Sequence, residues 1–193
     1  MNEQIILERF LSGDQEAPSL LYKMYVQDMF SYGSALTRDR ELLKDAVQDV
    51  FFKVLANRNL LKDVRNPRYF FFRSLKNRLI DLQKSAASKN EPIGNEELFS
   101  VKITVLDNLI EKEEQQALET RLKCLLDKLT SHQREAVCLR FIYEMEYEEI
   151  AGLLSLQNPK SARNLVSRAM ERMRSESPDI FLLLLLVYLY SLN

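Results

Sequence analysis

Lys160, Ser161, Arg163, Asn164, Ser167 and Arg168 lie along the polar side of a helical repeat that opens at Pro159. Cationic side chains suit phosphate, and Arg or Asn can pair bidentately with base edges. The opposite side of the repeat is Ala162, Leu165, Val166, Ala169, Met170 and Met173. Upstream stand the turn Leu156-Gln157-Asn158-Pro159 and a short helical run, Tyr147–Leu154, with the small pair Ala151-Gly152. A basic amphipathic helix behind a short turn is how many proteins enter a DNA major groove. The competing reading is a solvated basic helix of a plain bundle. The coincidence of small residues, turn and basic face weighs against it.

A second cluster has a different chemistry. Between Arg58 and Lys89 the sequence holds nine basic residues against Asp63 and Asp81. Pro67 suits a helix start. In the helix that follows, Tyr69, Phe70, Phe71 and Phe72 interleave with Arg68, Arg73, Lys76 and Arg78. Phe71, Leu75, Leu79 and Leu82 make one inward stripe; Tyr69, Phe72, Arg73, Lys76 and Asn77 cannot all face the same core. Aromatics among cations, beside the basic loop Asn57–Pro67, suit single-stranded nucleic acid. Stacking there is worth ~1–3 kcal/mol per base. The competing reading is an ordinary buried helix with solvated cations.

A third feature precedes that loop. Thr37-Arg38-Asp39 reads as a helix start, and Leu42, Leu43, Ala46, Val47, Val50, Phe51, Val54 and Leu55 form an apolar stripe. Phe52 breaks the stripe. It lies four residues after Gln48 and seven after Asp45, so all three share the polar face. That is either a wide core face or a partner surface, one aromatic anchor ringed by polar groups.

The elements that must position these residues are helical. The chain has 193 residues, enough for one domain or two small ones, and is 46% hydrophobic with only 4 Gly and 5 Pro. Strand-like alternation is scarce, so the fold class is all-α. Glu3–Phe10, Ser19–Leu36 and Leu106–Leu129 show helical periodicity; Thr130-Ser131 with Glu135 suggests a cap, and Ala136, Val137, Leu139, Phe141 and Ile142 a core face. Ser85–Val105 turns acidic and carries Pro92 and Gly94-Asn95, as a linker would. The expected layout is a helical domain over 1–88, an acidic linker over 89–111, a helix-turn-helix domain over 112–176 and an apolar tail over 177–193. Net charge is −1, so a local rather than a global field must steer the chain to a polyanion.

Composition also sets exclusions. Cys124 and Cys138 read as reduced core thiols of a cytosolic protein, and one His without a CxxC leaves no metal spacing. No Gly-rich phosphate loop or nucleophile constellation is present, so no enzyme, cofactor or small-molecule substrate is expected. The acidic start, MNEQIILERFLSGD, is not a signal peptide, and a cytoplasmic protein is expected. The run Ile180–Leu189 is too short for a transmembrane helix of ~20 residues. It is expected to pack back on the protein or meet a partner.

Three segments in order resemble the extracytoplasmic-function (ECF) sigma factors of bacterial RNA polymerase. The likeness is strongest to the group linked to nutrient uptake in Bacteroides-like bacteria. LKDAVQDVFFKV (Leu43–Val54) is similar to the family's region 2.2, and RYFFFRSLKNRLIDLQK (Arg68–Lys84) to regions 2.3 and 2.4. LDKLTSHQREAVCLRFIYEMEYEEIAGLL with SARNLVSRAMERMR is similar to region 4. The resemblance implies a subunit that binds core polymerase, recognises the −35 and −10 elements and promotes melting. It implies core-polymerase contact by Asp45, Gln48, Asp49 and Phe52. It implies −10 contact by Arg58, Asn59, Arg65, Asn66, Arg68, Arg73, Lys76 and Asn77, and −35 contact by the six residues that open this section. An anti-sigma factor is a further implied partner. The turn departs from the family's pattern: LSLQNPK is one residue longer, with Ser155 where Gly is common. The alternative is a helix-turn-helix regulator with an N-terminal oligomerisation or sensing domain. Such a duplex-only protein has no need of the basic, aromatic Arg68–Lys84.

Overall fold

The computed structural model describes the backbone of residues 2–87, 99 and 112–178. The chain divides into two compact units, residues 1–98 and 99–193. The expected linker lies outside the described residues apart from Phe99, as does the run Ile180–Leu189.

The first unit contains α1 (Glu3–Leu11), α2 (Ala17–Leu36), α3 (Arg40–Ala56), a 3-10 turn (Arg58–Leu61) and α4 (Pro67–Ala87). Local chemistry sets the starts. Asp14 Oδ1 accepts from the Glu16 and Ala17 amides at 2.7 and 3.2 Å, ahead of Pro18 in the first turn of α2. Asp39 caps α3, accepting from the Glu41 and Leu42 amides at 3.0 Å each. Asn66 Oδ1 accepts from the Tyr69 amide at 3.2 Å, with Pro67 as the first residue of α4. Each such cap contributes about 1 kcal/mol.

The centre of this unit is aromatic. Tyr25, Tyr32, Phe10, Phe71 and Phe72 are fully buried, with Leu21, Met29 and Leu75 among them. Tyr32 stacks on Phe72 at 4.4 Å and 7°, while Phe71 meets Tyr25 at 4.7 Å and Phe51 at 5.2 Å. Gly33 lets three helices converge. A Cβ there would lie 2.3 Å from Leu43 Cδ1 and 3.2 Å from Leu75 Cδ2. The burial of Phe72 differs from the single-stripe reading of α4. This helix packs against both α2 and α3, so it hides two adjacent faces. The α3 stripe is also narrower than its apolar pattern: Leu55 is exposed and Leu42 half-buried, both near the helix ends.

The second unit contains α5 (Lys112–Asp127), α6 (Ser131–Phe141), α7 (Tyr147–Leu153) and α8 (Pro159–Glu176). Thr130 caps α6 in a reciprocal box, but its partner is Gln133, three residues on. Glu135 is two residues too far along for that role and is buried instead. Leu122, Leu125, Leu126, Leu129, Val137, Ala169 and Met173 form one cluster, with Phe141 and Met170 against it. Ile142, expected in this core, is exposed because α6 has ended. Phe99 is buried, and its amide donates to Ser131 Oγ at 3.3 Å. Among the described residues, no helix is long and apolar enough to cross a membrane.

Candidate nucleic-acid interface

In the second unit, the turn into α8 is set by backbone geometry. Ser155 adopts φ 53°, the left-handed conformation usually left to glycine, and the Leu156 amide donates to the Ala151 carbonyl at 2.9 Å. That closes α7. Asn158 then caps α8, its Oδ1 accepting from the Ser161 amide at 2.9 Å and from Ser161 Oγ at 3.2 Å. Pro159 follows as the first helical residue. Ala162, Val166, Ala169 and Met173 turn inward and are buried. The complementary side is polar by the same 3.6-residue period. Lys160, Arg163, Asn164, Ser167 and Arg168 are exposed on it; Ser161, half-buried, spends its hydroxyl on the cap. The cap and Pro159 set where α8 begins.

Arg163 has a support. Its guanidinium carbon lies 5.1 Å from the centre of the Tyr147 ring, at the start of α7. Arg140 of α6 lies over the same ring, also at 5.1 Å.

In the first unit, several of the cationic residues are engaged with the fold. Arg58 Nη1 donates to the Phe10 carbonyl at 3.2 Å, and the guanidinium sits 5.3 Å from the Phe10 ring centre. Arg58 therefore ties the 3-10 turn to the end of α1. Arg68 pairs with Asp28 at 3.1 Å. Near it, the Tyr25 hydroxyl donates to the Glu3 carboxylate. Burial, and then the hydrogen bond to Glu3, holds that hydroxyl protonated far above the usual tyrosine range. Arg73 Nη1 donates to Tyr69 Oη at 2.8 Å and lies 5.8 Å from its ring centre. Asn59, Arg65 and Asn77 are exposed, and Lys76 is half-buried. Asn66 is committed to the α4 cap. Phe72, singled out for stacking on bases, is inside the core; Tyr69 and Phe70 are half-buried.

The α3 face is partly as its spacing implies. Phe52 is 58% exposed, too much for a core residue, with Asp45 and Gln48 exposed beside it. Asp49 is different: Arg78 Nε and Nη2 both reach its Oδ2 at 2.7 Å. Asp49, Lys53, Asn77, Arg78 and Asp81 line one shallow groove between α3 and α4.

The family models match these two units separately. Residues 21–89 match Sigma-70 region 2, and residues 119–173 match Sigma-70, region 4. The chain belongs to the sigma-70 family, in its ECF group. It is an RNA polymerase sigma subunit, and sigma factors are transcription initiation factors. The ECF RNA polymerase sigma factor SigM of Bacillus subtilis is 20% identical over 156 residues, spanning 80% of this chain and 91% of that one. Two solved structures share the fold. CnrH, in complex with the cytosolic domain of CnrY, has TM-score 0.54 at 20% identity, covering 90% of this chain and 95% of its own. The Bartonella quintana sigma factor RpoE, in complex with the anti-sigma factor NepR, has TM-score 0.57 at 18% identity, covering 83% and 96%. A region 2 match has no place in the duplex-only regulator, which is set aside.

Three participants at these sites were not singled out from the sequence of the sigma factor. Arg78 and Arg140 read as plain helix cations, and Tyr147 as a helix start. Contact across 29 residues, as between Arg78 and Asp49, leaves no mark in local spacing. For Tyr147 a signal did exist: an aromatic at a helix start, within a segment otherwise rich in acid, Glu144–Glu149.

Proposed function

We propose that the first unit of this sigma subunit holds core polymerase and opens the −10 element, while α8 of the second reads the −35 element. The observation that carries the reading is the pairing of two different cationic surfaces in one chain. One is an aromatic-backed surface on α4; the other is the exposed polar face of α8. Core-polymerase contact falls to Phe52, Asp45 and Gln48. Asp49 takes part through its pairing with Arg78, which fixes the groove wall. The flipped base of the −10 strand lies by the loop from Arg58 to Asn66, with Arg65 and Asn59 its exposed polar groups. Arg68, Arg73, Lys76 and Asn77 face the non-template strand. Unstacking costs a few kcal/mol; a cationic, aromatic-lined surface can offset it. The proposed contribution is binding and deformation of DNA rather than catalysis.

An anti-sigma factor is proposed as a further partner, since one solved structure of similar fold, that of RpoE, is a complex with the anti-sigma factor NepR. The nutrient-uptake-linked group of Bacteroides-like bacteria is supported by its motifs. A cytoplasmic site of action follows from the polymerase partner.

Run-off transcription with bacterial core polymerase tests the reading. Wild type should support initiation. Asp45→Ala with Phe52→Ala should lose holoenzyme in a pull-down while keeping its helical circular dichroism. Arg73→Ala with Lys76→Ala should assemble normally, bind single-stranded −10 DNA more weakly and show a flatter salt slope. Duplex binding without initiation by wild type would refute the sigma assignment of these surfaces.

A further inference from the structure

We infer that Tyr147 is a specificity-setting positioning residue, holding the Arg163 guanidinium ready for a base edge. The inference rests on the proposed −35 reading of α8 and deepens it. Arg163 is the fifth residue of α8, on the turn and a half where reading helices present side chains to bases. A solvent-exposed arginine samples many rotamers and loses that freedom on binding, which weakens discrimination. Here the Tyr147 ring offers its face to the guanidinium at 5.1 Å.

The ring is itself held. Tyr147 opens α7 behind a reciprocal cap, with the Glu146 amide donating to Glu149 Oε2 at 2.9 Å. Arg140 lies over the ring too, and is tethered by donating to the Met145 carbonyl at 2.8 Å and pairing with Glu146 at 3.4 Å. Glu146 offsets the second positive charge near the ring. Order thus passes from the α6–α7 connection through Arg140 and Tyr147 to Arg163.

The geometry leaves the reading chemistry intact. Stacking uses the face of the guanidinium, whereas bidentate pairing with a base uses the N–H groups in its plane. Lys160 and Arg168 stand exposed along the same side of α8, as phosphate contacts require. The division of labour is a fixed reader between mobile anchors.

The test uses the full chain assembled with core polymerase, and a duplex pool randomised across the upstream element. Wild type should enrich a defined sequence. Tyr147→Leu should lose preference at one or two adjacent base pairs by about tenfold, the scale of one bidentate contact. Arg163→Ala should erase the same positions, and Tyr147→Phe, which keeps the ring, should retain them. Unchanged preferences in Tyr147→Leu, or a uniform loss at every position, would overturn the inference while leaving the promoter reading standing. A wild type that enriched no sequence would overturn both.

Discussion

The two units bear cations on helices, yet they hold most of them differently. In the first, Arg58, Arg68, Arg73 and Arg78 each engage a partner within the unit: a carbonyl, a carboxylate, a phenol, a carboxylate. In the second, the polar side of α8 stands exposed over a core of Ala162, Val166 and Ala169, with Arg163 resting on the Tyr147 ring. The difference matches the two tasks. A duplex is already ordered, so a rigid helix can present most of its donors free and hold only its base-reading one. A melted strand is not, so the protein must supply the order, and its donors are fixed by the fold beforehand. A surface of the first kind is expensive to perturb, and one of the second kind is not.

The largest effect is expected where the aromatic core backs the proposed strand-binding surface. Phe72→Ala should cost about 3–5 kcal/mol in urea unfolding and weaken single-stranded −10 binding with it. Arg168→Ala on α8 should change stability by no more than about 0.5 kcal/mol. Similar losses for the two would erase the contrast. Next is Arg58→Ala, which removes a half-buried donor from the Phe10 carbonyl and a cation from its ring. A loss of about 1–3 kcal/mol is expected, with a rise in hydrogen exchange of the Asn57–Pro67 segment. If exchange there is unchanged, the turn is not held by α1.

Smaller still is Asn158→Ala. The lost α8 cap should cost about 1 kcal/mol and reduce upstream duplex binding, leaving −10 strand binding as it was. The smallest effect concerns Asp14. The Arg9 guanidinium, and then the Glu16 amide, hold its carboxyl below the usual carboxylate value. A lowered folded-state pKa stabilises at neutral pH, and that contribution fades as pH falls below about 4. Thermal melts should show Asp14→Ala closest to wild type at about pH 3. A gap that widens on acidification would reverse the sign of that coupling.

The face of α8 was legible in the sequence because one period and one proline agree on it. The exposure of Phe52 was legible for the same reason: it breaks a regular stripe. What local spacing does not carry is contact between distant segments. Three consecutive phenylalanines exceed any one stripe, so which of them is buried depends on how many helices pack against α4. Phe72 is hidden because two do. Arg58 and Asn66 look like loop polar groups until α1 and the α4 cap claim them. Leu55 and Ile142 fit an apolar period but lie where their helices run past their partners. The redox reading divides as well. Cys138 is buried, and burial pushes its thiol up to about 12, while Cys124 is exposed.

The hydrogen bond from Arg58 to the Phe10 carbonyl also bears on how the chain is made. The two residues are 48 apart in sequence. At ~5–20 residues per second, a ribosome adds Arg58 about two to ten seconds after Phe10. Until then, the joint between α1 and α2 rests on neighbours already synthesised, Arg9 with Asp14 and Glu16. The aromatic partners of Tyr25 and Tyr32 arrive later still, with α4. The nascent N-terminal hairpin therefore emerges with its tyrosines uncovered, and its closure waits on α4, the segment proposed to grip the melted strand.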